Sequence, residues 1–235
     1  MDEDIINQIK KYSLPLFVLG IVGLLYQSSD RLLVAQFSNG GMEQLGYLGM
    51  AQRIIGVITI ALSGLFTVWG VKSFENYSDK ILIKEKEKLI SLMLVVLVVI
   101  IIVLYIFKPL IINYILTNSY KEAFPISVLL IATFVNNRIR EILEKYFLRK
   151  GDSKLVTTVF TSFSLLSIIV SGFILFFSSL ENMLIFRMIV SLLHALVLGV
   201  LLRINKQNIN PLLFLTNILL SILVIINCTV EFSGI

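Results

Sequence analysis

Seven apolar runs punctuate the chain, at 13–37, 47–71, 89–107, 124–147, 155–177, 183–202 and 212–229. Each approaches the roughly 20 apolar residues that a helix needs to cross the hydrocarbon core. The connections between them are short and polar, with no low-complexity linker, no internal repeat and no room for an independent domain. The fourth run differs from the others. Its second half, Asn136-Asn137-Arg138-Ile139-Arg140-Glu141, reads as an amphipathic stem that leaves the bilayer. The pattern predicts an all-α integral membrane protein: about seven transmembrane helices in a single bundle over 1–235, with a cytoplasmic arm at 1–11.

Composition agrees with lipid as the main solvent. Hydrophobic residues make up 57% of the 235 and charged residues only 15%, with a mean hydropathy of +0.92. A soluble domain keeps roughly a quarter of its residues charged. The net charge of +5 does not point to nucleic acid, because the basic residues sit in short connections between apolar runs. There they set orientation. Lys10 and Lys11 precede the first run, and 38–46 carries neither Lys nor Arg. Lys72, Lys80, Lys84, Lys86 and Lys88 follow, then the weaker pair Lys108 and Lys121. Next come Lys145, Arg149, Lys150 and Lys154, a bare turn at 178–182, and Arg203 with Lys206. Strong and weak signals alternate, which predicts the N-terminus inside, seven crossings and the C-terminus outside. The acidic start Met1-Asp2-Glu3-Asp4 lacks the basic region and cleavage site of a signal peptide, so the first helix is expected to stay in the membrane. The single cysteine, Cys228, excludes an intrachain disulfide.

Polar residues inside apolar runs are the candidates for function, since a charge there costs about 2.5–3.5 kcal/mol on insertion scales. Gln27, Asp30 and Arg31 share a face of the first helix and read as a polar lining, or as residues that have reached the outer interface. On the second helix Gln52, Gly56, Thr59, Ser63, Thr67 and Gly70 form one stripe, with Arg53 beside it. Thr157, Thr161, Ser164 and Ser171 form another on the fifth. Each stripe is a packing face or a cavity wall. Arg187 and His194 share a face of the sixth helix with Ser191. There Arg187 snorkels or lines a cavity, and His194 is a packing residue or a proton carrier. Asn136, Asn137, Arg138, Arg140 and Glu141 form a polar and charged cluster at the end of the fourth, either for anchoring or for lipid phosphate and pyrophosphate. Asp30 reads as the only acidic residue clearly within a span.

Enzyme signatures are missing. The sequence has no paired-aspartate site, no His-rich cluster, no Gly-rich phosphate loop and no Ser/His/Asp set on facing segments. One histidine and one cysteine exclude a zinc site. The reading therefore calls for no enzyme activity, no metal and no cofactor. Asn227-Cys228-Thr229 matches a glycosylation sequon by chance, at a span end.

Three motifs stand in order along the first two helices: Lys10-Lys11-Tyr12-Ser13-Leu14-Pro15-Leu16, Ser29-Asp30-Arg31, and Leu45-Gly46-Tyr47 with Ala51-Gln52-Arg53-Ile54. In these the chain resembles the start of the C-terminal half of polysaccharide flippases in the multidrug/oligosaccharidyl-lipid/polysaccharide (MOP) exporter superfamily. Tyr120-Lys121-Glu122-Ala123 is similar to the start of that family's tenth helix, and the likeness covers roughly the first 155 residues. It implies one bundle of a MOP-type transporter in a bacterial cytoplasmic membrane, flipping lipid-linked oligosaccharide or polysaccharide precursors by alternating access. It carries Asp30, Arg31, Gln52 and Arg53 forward as substrate-facing residues. A drug or cation exporter of the same superfamily, and a truncated non-transporting membrane subunit, are the competing readings. The expected partners are a lipid-linked glycan, membrane lipids, and a missing N-terminal half or second copy covering Gln27, Asp30, Gln52, Ser63 and Ser164.

Overall fold

A computed structural model describes residues 3–72, 79–116, 118–205 and 209–233. Met1, Asp2, Lys206, Ile235 and the side chains of Lys72 and Lys80, all counted above, lie outside that set. The elements are α1 (Glu3–Phe37), α2 (Gly41–Lys72), α3 (Asp79–Ile106), the single turn α4 (Lys108–Leu110), α5 (Ala123–Arg149), α6 (Ser153–Phe177), α7 (Leu180–Ile204) and α8 (Pro211–Ser233). A π-helical turn, Ile111–Leu116, and a 3-10 turn, Asn118–Tyr120, join α4 to α5. Each apolar run has become a helix. The arm expected at 1–11 is not separate, because its described residues continue α1 without a break.

Local chemistry sets the turns. The α1–α2 hairpin closes on Ser38, whose carbonyl accepts from Gly41 N at 3.0 Å and whose hydroxyl accepts from Gly40 N at 3.2 Å. After α5 the chain reverses at Gly151, with φ +85°, where a side chain would be strained. Gly151 N donates to Leu148 O and Asp152 N to Phe147 O, the paired bonds that close a helix C-terminus on glycine. Ser179 caps α7 by accepting from Asn182 N at 3.3 Å.

The long helices run alternately up and down. α1 and α6 are parallel: Thr157 Oγ1 donates to Pro15 O at 2.9 Å, Tyr26 meets Phe160 edge to face, and a Cβ on Gly172 would stand 3.5 Å from Leu33. α2 and α5 are parallel too, with Arg138 over Phe66 and Lys145 over Trp69. α3 and α8 begin together, where Asn210 N donates to Glu87 at 2.7 Å, and end together at the Lys108–Glu231 ion pair. This alternation requires α5 to run the length of the bundle.

Among the described residues, five helices are long and apolar enough to cross a membrane: α1, α3, α6, α7 and α8. α2 is a sixth if its two segments, bent by 47°, count as one span. α5 fails that test and yet forms the core. It packs against α2, α3, α6, α7 and α8. None of its large apolar side chains is exposed, whereas α1 exposes Leu14, Phe17 and Leu24 and α6 exposes Phe173 and Phe177. Those outer faces are the surface that lipid covers in a multi-pass membrane protein. The second half of α5 is therefore not an exposed stem. Ile139, Arg140, Ile142, Leu143, Glu144 and Phe147 are all buried inside the bundle. Polar residues survive there because protein, not lipid, surrounds them. Lys86, counted above among the short connections, is instead buried on α3, its ammonium 3.9 Å above the Tyr146 ring.

Candidate functional site

The polar residues picked out by sequence converge on three neighbouring spaces among α1, α2, α5, α6 and α7. The central cavity, about 300 Å³, takes Gln27 and Asp30 from α1, Gln52, Gly56 and Thr59 from α2, Thr133 and Asn137 from α5, and Arg187 from α7. Toward the hairpin end a second space of about 490 Å³ is lined by Arg31, Gln52, Arg53 and Tyr120. A narrow third one, about 10 Å³, holds Asn137, Arg140, Ser164, Ser191 and His194. Gln52 belongs to the first two, and Tyr26 and Asn137 to the first and third. All nine candidates, Gln27, Asp30, Arg31, Gln52, Arg53, Asn137, Arg140, Arg187 and His194, lie along this track.

Arg187 is the anchor of the central cavity. It does not snorkel, since its side chain is only 4% exposed and it forms an ion pair with Asp30 across the bundle. Its Nη2 donates to Ser29 Oγ at 2.6 Å and its Nε to Ser171 Oγ at 3.2 Å. The guanidinium carbon stands 5.0 Å over the Tyr26 ring. One side chain on α7 thus ties α1 and α6 together, and the rigid fork of guanidinium donors is suited to that task. Asp30 has accordingly not reached an interface on its own. Arg31 points elsewhere: its Nε donates to Gln52 Oε1 at 2.8 Å, so it closes the boundary between the outer space and the central cavity. The shared face of Gln27, Asp30 and Arg31 is split between two spaces.

The serine and threonine stripes divide in the same way. Gln52, Gly56 and Thr59 wall the cavity, but Ser63 and Thr67 are exposed beyond it. Ser63 Oγ donates to Ile60 O at 2.7 Å and Thr67 Oγ1 to Ser63 O at 3.0 Å. With their hydroxyls satisfied inside the helix, these residues can face lipid at little cost. Ser164 needs no outside cover either, being buried within the bundle with Ser167 and Ser171. That α6 stripe is chiefly a packing face, and Ser171 also holds Arg187.

Glu144 is the residue the sequence reading overlooked. Asp30 is not the only buried acid, because Glu144 is buried between Arg140, at 3.4 Å, and His194 Nε2, at 3.7 Å. Its signal was its position four residues after Arg140 inside the apolar run 124–147. On the opposite flank of α5, Arg138 pairs with Glu141 at 2.5 Å and lies against Phe66 and Phe134. Among the described residues, no three His, Cys, Asp or Glu side chains converge as metal ligands do. The site offers guanidinium and amide donors beside two carboxylates, with Gln27, Arg31 and Arg53 exposed along the α1–α2 flank. Those donors can hydrogen-bond an anionic, hydroxyl-rich ligand.

No curated protein and no solved structure matches the chain. A family model described as polysaccharide biosynthesis protein matches residues 1–125, which include α1, α2 and all the residues they contribute to the track. Asn137, Arg140, Arg187 and His194 lie beyond the matched range. Because that match covers more than half of the sequence, the chain belongs to the polysaccharide biosynthesis protein family.

Proposed function

We propose that this protein is a membrane transporter, or one bundle of one, that moves lipid-linked oligosaccharide or polysaccharide precursors across a bacterial cytoplasmic membrane by alternating access. The carrying observation is the continuous polar track between α1, α2, α5 and α7, with cationic Arg31 and Arg53 at one end and the Asp30–Arg187 pair at its centre. A glycan needs donors and acceptors along its path, and a phosphate-linked carrier needs cations. Family membership supports the same reading. The lysine pattern supports a cytoplasmic N-terminus, and on this reading the protein acts as a carrier without enzyme activity. A partner bundle or a second copy packs along the exposed polar flank of α1 and α2, where Gln27, Arg31 and Arg53 are accessible.

The test is export of surface glycan in a strain that depends on this protein together with its partner bundle. Arg31→Ala and Arg53→Ala are expected to lose export at normal protein levels, while Lys84→Ala, on an exposed face of α3, retains it. Equal export by all three variants would refute the reading. Glu144 favours a second reading, cation-coupled export of a small molecule, because such transport uses intramembrane carboxylates. Loss of cation-driven efflux in Glu144→Gln with glycan export intact would select it.

A further inference from the structure

We propose that Glu144 of α5 and His194 of α7 form a proton-binding site, a pair that holds one exchangeable proton inside the bundle whatever the cavity carries. Glu144 Oε1, His194 Nε2 and Arg140 Nε converge on one point, all sealed from the surface and none making a hydrogen bond. A carboxylate oxygen and an unprotonated imidazole nitrogen are both acceptors, so they face each other without a bond between them. One proton on either atom turns the pair into donor and acceptor. The balance is simple: a proton arrives from water, no other bond forms or breaks, and the charge of the pair rises by one.

The surroundings leave this pair as the group that responds. On α5, Arg140 touches Glu144, and Glu141 lies 3.6 Å from Arg140 while bonding Arg138. α6 contributes Phe163, stacked on the imidazole at 4.7 Å, and Phe160, beneath the Arg140 guanidinium at 4.7 Å. α1 contributes Tyr26 and α7 itself Ser191, neither charged. Two turns along α7, Arg187 is held by Asp30. Lys86 on α3 and Lys145 on α5 lie over Tyr146 and Trp69, and Arg149 follows one turn beyond Lys145 on α5. α8 carries no charge from Pro211 to Val230, and α2 none from Ile54 to Val71. Access is provided by the narrow space beside His194. Its 10 Å³ holds about one water molecule, and it shares Tyr26 and Asn137 with the central cavity. Because the pair links α5 to α7, its proton occupancy bears on the helix that carries Arg187.

The chain has a single histidine, so labelling with ¹⁵N-histidine gives one imidazole to observe in the intact protein. In the wild-type protein in detergent micelles, the imidazole signals are expected to pass through one titration step between about pH 5 and pH 8. In Glu144→Gln, an isosteric change, that step is expected to vanish or to move by about one pH unit or more, while Glu85→Gln on the α3 surface leaves it in place. An imidazole silent to pH in the wild-type protein overturns the proposal without any variant. So does a step that is the same in wild type and in a monodisperse Glu144→Gln protein.

Discussion

Arg187 on α7 reaches Asp30 on α1 across the central cavity, and both side chains are largely withdrawn from the surface, at 4% and 16% exposure. Removing one member of a buried pair leaves the other charge uncompensated, at a cost of about 3–5 kcal/mol, whereas removing both costs less. Arg187→Gln and Asp30→Asn are each expected to destabilise the bundle on that scale. The double variant should be more stable than the sum of the singles predicts, by about 0.5–3 kcal/mol. Denaturant unfolding in mixed micelles measures the three differences, and strict additivity would mean that the two residues act separately.

The buried course of α5 makes a prediction about topology. If α5 crosses the membrane, reporters fused after Ser119 and after Gly151 must lie on opposite sides, and reporters after Gly151 and Ser179 must differ as well. The same side for Ser119 and Gly151 would take α5 out of the membrane and break the alternation that the α1–α6 and α2–α5 contacts demand.

Close packing between α7 and α8 depends on Gly199, where an added Cβ would stand 2.4 Å from the Phe214 ring. Overpacking of this kind typically costs about 1–3 kcal/mol. Gly199→Ala is expected to lower the thermal midpoint, and Phe214→Leu to restore much of the loss when combined with it. Gly64→Ala, where a Cβ meets nothing, serves as the neutral comparison. Equal effects at the two glycines would contradict this packing.

Much of the architecture was legible because lipid demands consecutive apolar residues, so the helices could be located without knowing their neighbours. The nine track residues were legible for a related reason, since a polar group in an apolar run stands out whatever surrounds it. What hydropathy could not reveal is which helix has no lipid-facing side. The charges at Arg138, Arg140 and Glu141 look the same whether a helix leaves the bilayer or is enclosed by five others, and the enclosure of α5 comes only from tertiary packing. Glu144 was hidden by that ambiguity. The α2 stripe misled for another reason: Ser63 and Thr67 satisfy their hydroxyls on their own helix, a local bond that a face pattern does not report.

Transport along the polar track requires water in the central cavity. Cys228 is the chain's single cysteine and is buried, so a Cys228→Ala background allows cysteines to be placed one at a time. Thr133 and Asn137 line the cavity from α5, while Val57 and Ile60 lie on the exposed apolar face of α2, at 73% and 76% exposure. A charged, membrane-impermeant thiol reagent is expected to label Thr133→Cys and Asn137→Cys, and to leave Val57→Cys and Ile60→Cys unreacted in lipid. Labelling of the α2 face with Thr133→Cys and Asn137→Cys both inert would mean that the polar track is dry packing, and the transport reading would fall with it.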